Sequence, residues 1–597
     1  MTNSFRLGGL ALILLGWHLV GFSQIDSSEI QDSSIVSTSY EQLLEQISLD
    51  DGSPNLDDVI TPHRSNAETT ISIRSRIVQS LQQSNGYTGS TYLGSRIKSY
   101  QRLKFTQGEH FSAGILFEKD PGEQRLNDFS SMNVTISKMG PADKLVLGDY
   151  VIETGQGLAL WRGYDFSKGA DIVTPGKRDA RILVPYISAD ENAFFRGIAG
   201  QVRLGAVQAV IFYSKRSRTA SVDTNQHITS FTTSGYFRTS HEQERRDNVS
   251  ERITGFRAAY HFSDRNMIGV TSYGAVFSNS LLVDNGRKFS GSNYAITSVD
   301  YNYGYDAATF FGEWAHTGTT IGGLSGIALT PADAIDVIAV FRDYPYQFTS
   351  LHGLGFGERS ITSNETGLYI GMHMKANRWL KVNTYYDQYR FPQPTPGVVF
   401  PSKGNDFLIQ TEWKIAPRSE LTIRYQRKIS EERFSLTNQN GFQNNVNDLQ
   451  RTQHIRCNID YRLNPYVKLR SRIERIYFNA NLSQRNEKGM IGFQDFSIKQ
   501  TERLWWNVRF IFFQTESFDS RIYEYENDLE GVFSLPGLYG RGVRWYVLAR
   551  YKLAGRLELS LKYADLIRDD VKRLGTGLDE LPTNHDNRFG LQIDFSL

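Results

Sequence analysis

The sequence has 597 residues, enough for several soluble domains or for one large barrel. Its formal net charge is only +2, so it lacks the basic excess that is typical of a protein that coats nucleic acid. Aromatic residues make up 13% of the chain, with 31 Tyr and 36 Phe, which favours strands over helices. The single cysteine, Cys457, excludes an intramolecular disulfide and a multi-cysteine metal site.

Residues 1–23 have the pattern of a secretory signal peptide. Arg6 supplies the positive charge, residues 7–20 form a short apolar core, and Gly21 and Ser23 provide small side chains for cleavage. The alternative is a transmembrane anchor, but the apolar run is short for a span of about 20 residues. The sequence therefore predicts an exported protein that is either soluble or a barrel.

Residues 24–69 are rich in Ser and Asp and are predicted to form a short periplasmic N-terminal segment. One helix is predicted over 38–48, where apolar residues follow the spacing of a helical stripe. That stripe consists of Tyr40, Leu43, Leu44 and Ile47. Two interpretations stay open, a docking helix or linker and a helix that binds a partner.

From residue 70 to the end, apolar and polar residues alternate in many segments. Residues 589–597 alternate without error, and the pattern recurs at 455–461 and 557–563. Many segments run about 11–14 residues, longer than the roughly 5–6 of soluble strands and sufficient for a tilted membrane crossing. The sequence predicts an all-β fold over 70–597, a large transmembrane antiparallel β-barrel of about 24 strands, within 22–26, in the outer membrane.

The connections between these segments alternate between short turns and long polar stretches. Such asymmetry is typical of outer-membrane barrels, and an even strand number places both termini in the periplasm. The segments 154–190 and 218–251 are predicted to be the only connections long enough to fold into the lumen. Residues 518–527 resemble a strand but disturb the parity, so they are predicted to extend a strand above the membrane or to form a small external hairpin.

If the apolar face of each strand contacts lipid, the polar face lines the lumen. The candidate lumen-lining residues are Arg424, Lys428, Arg456, Asp460, Arg462, Lys468, Arg470, Arg472, Glu474, Arg544 and Arg550. Two interpretations stay open, a network of opposed charges that fills the interior and a basic lining that favours anionic solutes.

Barrels of about 22 strands generally carry a plugged lumen. The segment 154–190 combines glycines with aromatic residues, which favours a packed constriction loop over a solvated one. The candidate constriction residues are Gly155, Gly157, Trp161, Tyr164 and Phe166.

Five segments carry a resemblance to a known family. They are SYEQLLEQ at 39–46, FEKDPGE at 117–123, LGDYVIETGQGLALWRGYDFSKGAD at 147–171, PYISADENAFFRG at 185–197 and SLPGLYGRGVRWY at 534–546. Over most of 38–597 the chain resembles the Bacteroidota outer-membrane barrels usually labelled helix-hairpin-helix domain proteins. The resemblance implies an exported Gram-negative barrel, in some members preceded by a DNA-binding type of helical hairpin. Here only residues 55–58 correspond to the start of that hairpin, so DNA binding is not transferred.

No pattern in the sequence predicts a catalytic site, a cofactor or a metal site. The glycine-rich stretch 353–357 does not open a helix after a buried strand, and His241-Glu242 lacks a second spaced histidine. We expect a monomeric barrel that is not an enzyme and acts as a loop-constricted channel or passive transport conduit for small solutes. Its predicted partners are outer-membrane lipid and the barrel-assembly machinery.

Other functions stay open behind this first prediction. The main alternative is a non-conducting anchor or assembly component that works with envelope proteins. A role in DNA uptake and an envelope enzyme rank below it, and DNA is not an expected partner.

Overall fold

The computed structural model describes residues 69–162, 168–318, 320–437 and 442–597. The predicted signal peptide and the predicted helix 38–48 lie outside the described residues, as do Tyr164 and Phe166 of the candidate constriction loop.

Twenty-four long strands form one closed antiparallel barrel, because the last strand pairs with the first. Their bounds are β1 Thr69–Ser80, β2 Ile97–Gln107, β3 Phe111–Lys119, β4 Phe129–Met139, β5 Ala142–Glu153, β6 Phe195–Leu204, β7 Val207–Arg218, β8 Val249–His261, β9 Met267–Val283, β10 Phe289–Tyr305, β11 Ala308–Thr317, β12 Thr320–Ala332, β13 Ile335–Tyr344, β14 Glu365–Asn377, β15 Leu380–Phe391, β16 Ser402–Ala416, β17 Ser419–Thr437, β18 Gln443–Asn464, β19 Val467–Ala480, β20 Arg485–Thr501, β21 Leu504–Thr515, β22 Arg541–Ala554, β23 Leu557–Arg568 and β24 His585–Ser596. The predicted fold class and the predicted number of strands are confirmed.

Shorter elements lie in the connections. The short strands are Ile182–Pro185, Ala220–Val222, Ile228–Phe231, Ile522–Tyr523 and Gly537–Leu538, and the helical turns are α1 Asn85–Thr88, α2 Ser240–Glu244 and a 3₁₀ turn at Gly577–Asp579. Within the described residues, no helix combines the length and the apolar character that a bilayer crossing needs.

The alternation of the sequence becomes two different faces of the barrel wall. On β19, Arg472 is 3% exposed and Glu474 is 1% exposed, while Ile473 between them is 55% exposed. Successive side chains of a strand point to opposite faces, so the charged residues face the interior and the apolar residues face outward. This is the reverse of a soluble protein and is the arrangement that a barrel in lipid requires.

The two ends of the barrel differ. At one end, here called the turn end, short turns such as 140–141 and 417–418 join the strands, and β1 begins and β24 ends there. At the other end, here called the loop end, the long connections include 154–194, 345–364 and 516–540.

The core of the molecule lies inside the barrel. Leu158 and Leu160 belong to a buried cluster that also contains Phe348 from another connection and Phe311 and Tyr369 from the wall. A smaller cluster packs Leu529 of 516–540 against wall residues that include Tyr546.

Connections other than the two expected ones therefore fold inward. The prediction that only 154–190 and 218–251 could do so is wrong, because 345–364 and 516–540 also contribute buried side chains to the interior. Residues 518–527 do take part in a hairpin, through pairing of Ile522–Tyr523 with Gly537–Leu538. The expectation that such a hairpin is external is wrong, because Glu524 and Glu526 are fully buried.

Candidate functional site in the barrel lumen

One buried carboxylate on the wall holds a connection inside the barrel. The side chain of Glu313, on β11, accepts backbone N–H groups from Gln156 at 2.7 Å, Leu158 at 2.8 Å and Ala159 at 3.1 Å. Glu313 is fully buried, and its two side-chain oxygens together accept three backbone N–H groups of the connection. Glu313 lies near the middle of its strand, so residues 154–162 reach deep into the barrel.

A second connection locks onto the first. The N–H of Trp161 donates to the carbonyl of His352 at 2.9 Å, and the N–H of Leu354 donates to the carbonyl of Gly157 at 2.8 Å. The hydroxyl of Ser350 donates to the carbonyl of Leu158 at 2.6 Å. Residues 154–162 and 345–364 therefore form one unit, here called the first plug.

Two glycines make the close packing of the first plug feasible, Gly155 against the wall and Gly157 against other parts of the connections. Gly155 has φ +54° and Gly157 has φ +87°, values in the left-handed region that favours glycine. A Cβ on Gly155 would lie 2.6 Å from Oε2 of Glu313, and one on Gly157 would lie 2.6 Å from the guanidinium of Arg178. A larger residue at position 155 would therefore displace the chain from the carboxylate, and one at position 157 would displace it from Arg178 and Leu354.

A buried cluster of ion pairs also holds the first plug against the wall, at Glu358. Lys168 contacts Glu358 and lies 2.8 Å from Asp387, while Lys428 lies 2.6 Å from Glu358. Arg342 contacts the same Asp387 at 2.9 Å. Burial works to raise the pKa of Glu358, but Lys168 and Lys428 outweigh it and lower that pKa to about 2.

His352 of the first plug is buried between charged groups. Its Nε2 lies 3.0 Å from Oε1 of Glu251, and its Nδ1 is contacted by the guanidinium of Arg162. Because arginine only donates, Nδ1 accepts this bond and carries no proton. Burial, opposed by Glu251 and reinforced by Arg162, lowers the pKa of His352 to about 4, which keeps the imidazole neutral at pH 7.

The second inward connection presents a row of acidic side chains to the wall. Residues 522–538 form the acidic hairpin, in which acidic residues occupy every second position from 524 to 530. Each acidic side chain contacts a basic residue of a different strand. The pairs are Glu524 with Arg472 at 2.8 Å, Glu526 with Arg544 at 2.8 Å, Asp528 with Lys562 at 2.7 Å and Glu530 with Arg74 at 2.5 Å.

The candidate lumen-lining residues fall into two groups. Some pair with each other across neighbouring strands: Arg456 lies 2.6 Å from Glu474, and Arg470 and Lys468 lie 2.9 Å and 3.6 Å from Asp460. This pairing corresponds to the expected network of opposed charges.

The remaining candidates contact an inward connection or another wall residue, or lie at the turn end. Lys428 contacts the first plug; Arg472, Arg544 and Arg550 contact the acidic hairpin, the last by donating to the carbonyl of Asp528 at 3.0 Å. Arg424 donates to the side chain of Gln410 at 2.8 Å. Arg462 is exposed at the turn end, where its N–H donates to the carbonyl of Arg418.

The candidate constriction residues are placed in part. Gly155, Gly157 and Trp161 are buried in the first plug, and the guanidinium of Arg178 lies 4.7 Å from the centre of the Trp161 ring. Tyr164 and Phe166 lie outside the described residues.

Sequence reasoning misses the carboxylates that position the inward connections. Nothing local distinguishes Glu313 from other acidic residues on the polar faces of strands. The acidic hairpin does carry a signal, the strict alternation of acidic residues from Glu524 to Glu530, which places them on one side of an extended segment.

No protein-family model and no curated protein matches this sequence. Among solved structures, the siderophore receptor PirA from Acinetobacter baumannii is similar over 90% of this chain and 81% of its own, at 9% identity and a TM-score of 0.42. The copper transporter OprC is similar over 89% and 81%, at 7% identity and a TM-score of 0.45. A mutant form of the ferric enterobactin receptor from Pseudomonas aeruginosa is similar over 89% of this chain and 81% of its own, at 9% identity and a TM-score of 0.40.

The strand pairing of the chain itself defines a closed β-barrel of the outer-membrane type. The resemblance to the Bacteroidota helix-hairpin-helix family stays a prediction.

Proposed function

We propose that this protein is an outer-membrane conduit for small solutes that is closed by its own inward connections. In this proposal it acts as a monomer, both termini face the periplasm, and the loop end faces outward. Outer-membrane lipid and the barrel-assembly machinery remain its predicted partners. The absence of an enzymatic activity stays a prediction, and no role in DNA uptake is proposed.

The observation that carries this proposal is that loops fold into a 24-strand barrel and pack there against inward-facing side chains of the wall. A barrel of about eight strands is filled by its own side chains or holds one small ligand, whereas barrels of 16 or more strands enclose a lumen. A wide barrel with inward loops therefore favours transport over anchoring.

The contacts of the acidic hairpin support a closure that can be reversed. Its pairs with Arg472, Arg544 and Lys562 are charge-assisted contacts. Beside them, Ile522, Leu538 and Leu529 of the hairpin pack against the wall in two apolar clusters that are much smaller than the core around the first plug. Incoming anions can take the place of the hairpin carboxylates in these pairs, whereas a continuous apolar core has no comparable substitute.

A liposome-swelling assay tests the proposal. Since Gln514 pairs with Arg541, a short Asn-Gly turn can replace residues 518–538 while β21 and β22 remain paired. We expect slow uptake of small sugars and amino acids by the natural chain and clearly faster uptake by this deletion variant. Equal uptake by liposomes with the variant and by protein-free liposomes would contradict a conduit.

A second candidate function is the non-conducting anchor. The observation in its favour is the packing of the first plug, since Leu158, Ala159 and Leu160 are fully buried in the largest core cluster. An anchor would remain impermeable after removal of the acidic hairpin and would instead co-purify with stoichiometric envelope proteins.

A further inference from the structure

The acidic hairpin lies across seven adjacent strands of the wall, and its acidic side chains contact a basic side chain on four of them. Its partners Arg472, Arg544, Lys562 and Arg74 belong to β19, β22, β23 and β1, and β20, β21 and β24 complete the stretch between them. Alternate residues of an extended segment are about 7 Å apart, so Glu524, Glu526 and Asp528 form a linear row of carboxylates at about that spacing, and Glu530 follows at the turn of the hairpin.

Two of the wall cations depend on the hairpin for their ion pairs. Within the described residues, Arg544 forms its ion pair with Glu526, and Lys562 forms its ion pairs with Glu526 and Asp528. Arg544 and Lys562 are both buried. Leaving a buried charge unpaired is strongly unfavourable, so displacement of the hairpin requires another anion at these positions.

The geometry of these contacts is that of carboxylate recognition. The guanidinium of Arg544 meets both oxygens of Glu526 through Nε and Nη2, and Nη1 of Arg472 lies within hydrogen-bond distance of both oxygens of Glu524. The planar fork of arginine matches a carboxylate in the two-point manner that Arg544 shows, and Arg472 holds its carboxylate through a single nitrogen.

The base of the hairpin can be reached from the loop end. A cavity of about 520 Å³ there is lined by Gly537 and Leu538 of the hairpin. Its charged lining residues are Arg96, Lys98, Arg238, Arg568 and Arg588 with Asp120, Asp579 and Asp586. A solute that enters this cavity therefore meets the hairpin at its base.

We propose that the acidic hairpin occupies the binding sites of the solute, and that the solute is a linear polycarboxylate that pairs with the same wall cations. This inference rests on the proposed conduit function and specifies its substrate class. Displacement of the hairpin by such a solute would replace one set of carboxylates by another, with no net loss of ion pairs.

Substitutions that remove negative charge from the hairpin test the inference. The double variant Glu524→Gln, Glu526→Gln keeps the shape of the hairpin and removes two negative charges from the lumen. In planar bilayers at about 0.1 M salt, where charges act over about 10 Å, we expect its chloride-to-potassium permeability ratio to exceed that of the natural chain by about tenfold. Butane tetracarboxylate should block the variant at concentrations about tenfold below those of acetate at equal ionic strength.

Matched variants distinguish an effect at the proposed binding site from a general effect of substitution on the barrel. Glu502→Gln, an exposed substitution at the turn end, should change neither selectivity nor block. Adding Arg472→Gln and Arg544→Gln to the double variant removes the cations themselves and should abolish both the anion preference and the block. If the double variant does not fold, Asp528→Asn with Glu530→Gln, at the less buried tip, should shift selectivity in the same direction.

The outcomes distinguish this inference from the proposed function. A conducting variant without anion preference, or without block by the tetracarboxylate, would overturn the inference and leave the conduit intact. Equal block by tripolyphosphate would overturn the assignment to carboxylates, since charge alone would then decide binding. Silence of every variant would overturn the conduit itself.

Discussion

At the scale of single residues, Gly155 and Gly205 form a matched pair. Both have a positive φ, +54° and +59°, but a Cβ on Gly155 meets Glu313 whereas one on Gly205 meets nothing within 4 Å. We expect Gly155→Ala to speed hydrogen exchange at the amides of Gln156 and Leu158 by about tenfold, since overpacking costs roughly 1–3 kcal/mol. Gly205→Ala imposes a similar backbone strain and should leave these amides unchanged. Equal effects of the two substitutions would show that the contact with Glu313 does not hold the first plug.

His352 makes the docking of the first plug dependent on pH. In the docked plug the pKa of His352 is about 4, against 6.5 for an exposed histidine, so the docked state binds the proton less tightly. The free energy that favours docking is therefore complete above pH 6.5 and falls, by on the order of 3 kcal/mol, as the pH drops to about 4.

Conductance as a function of pH checks this dependence. We expect the natural chain to open more often as the pH falls from 6.5 to 4. The reason is that His352 binds the proton more tightly when the first plug is displaced than when it is docked. Gln in place of His352 keeps an acceptor and a donor without titrating in this range, so His352→Gln should flatten the response. Identical pH profiles for the two proteins would assign any acid opening to other groups.

At the scale of elements, the acidic hairpin is separable from the barrel that surrounds it. The pairing of β21 with β22 continues to Gln514 and Arg541 without help from the hairpin. Replacing residues 518–538 by a short turn should therefore leave the barrel folded, seen as retained heat-modifiable migration in gels. The control is a similar shortening of the mostly exposed residues 394–398, which should behave like the natural chain. Failure of the hairpin deletion alone to fold would make the hairpin part of the barrel core.

The strands were predictable from the sequence because their signal is local. Alternation at 455–461 and 557–563 lies within β18 and β23, and short turns such as 417–418 separate consecutive strands. Counting these segments was sufficient to predict about 24 strands without knowledge of any long-range contact, and their length indicated that they cross a membrane.

The inward connections were not predictable in the same way. The bond from Gln156 to Glu313 joins residues 157 positions apart, and the contact of Lys168 with Asp387 spans 219 positions. Periodicity carries no information on such pairs. Polarity is also misleading here, because the acidic side chains of Glu524 and Glu526 would be predicted to be exposed to solvent. They are buried because basic residues of the wall form ion pairs with them.

At the scale of the whole molecule, a wide polar barrel and its inward connections form one system. The wall presents buried arginines that need carboxylates, and the connections supply them from the loop end. The apolar outer face and the charged inner face both follow from the two-residue period of the strands. In the proposed conduit, closure is therefore a property of the first plug and the acidic hairpin rather than of the wall.

Single-channel recording in planar bilayers tests this central claim most directly. The natural chain should show small or rare openings, and the variant in which a short turn replaces residues 518–538 should show stable steps that are at least several-fold larger. Loss of the acidic hairpin with no gain in conductance, in a barrel that remains folded by gel migration, would contradict closure by the hairpin and favour a non-conducting role.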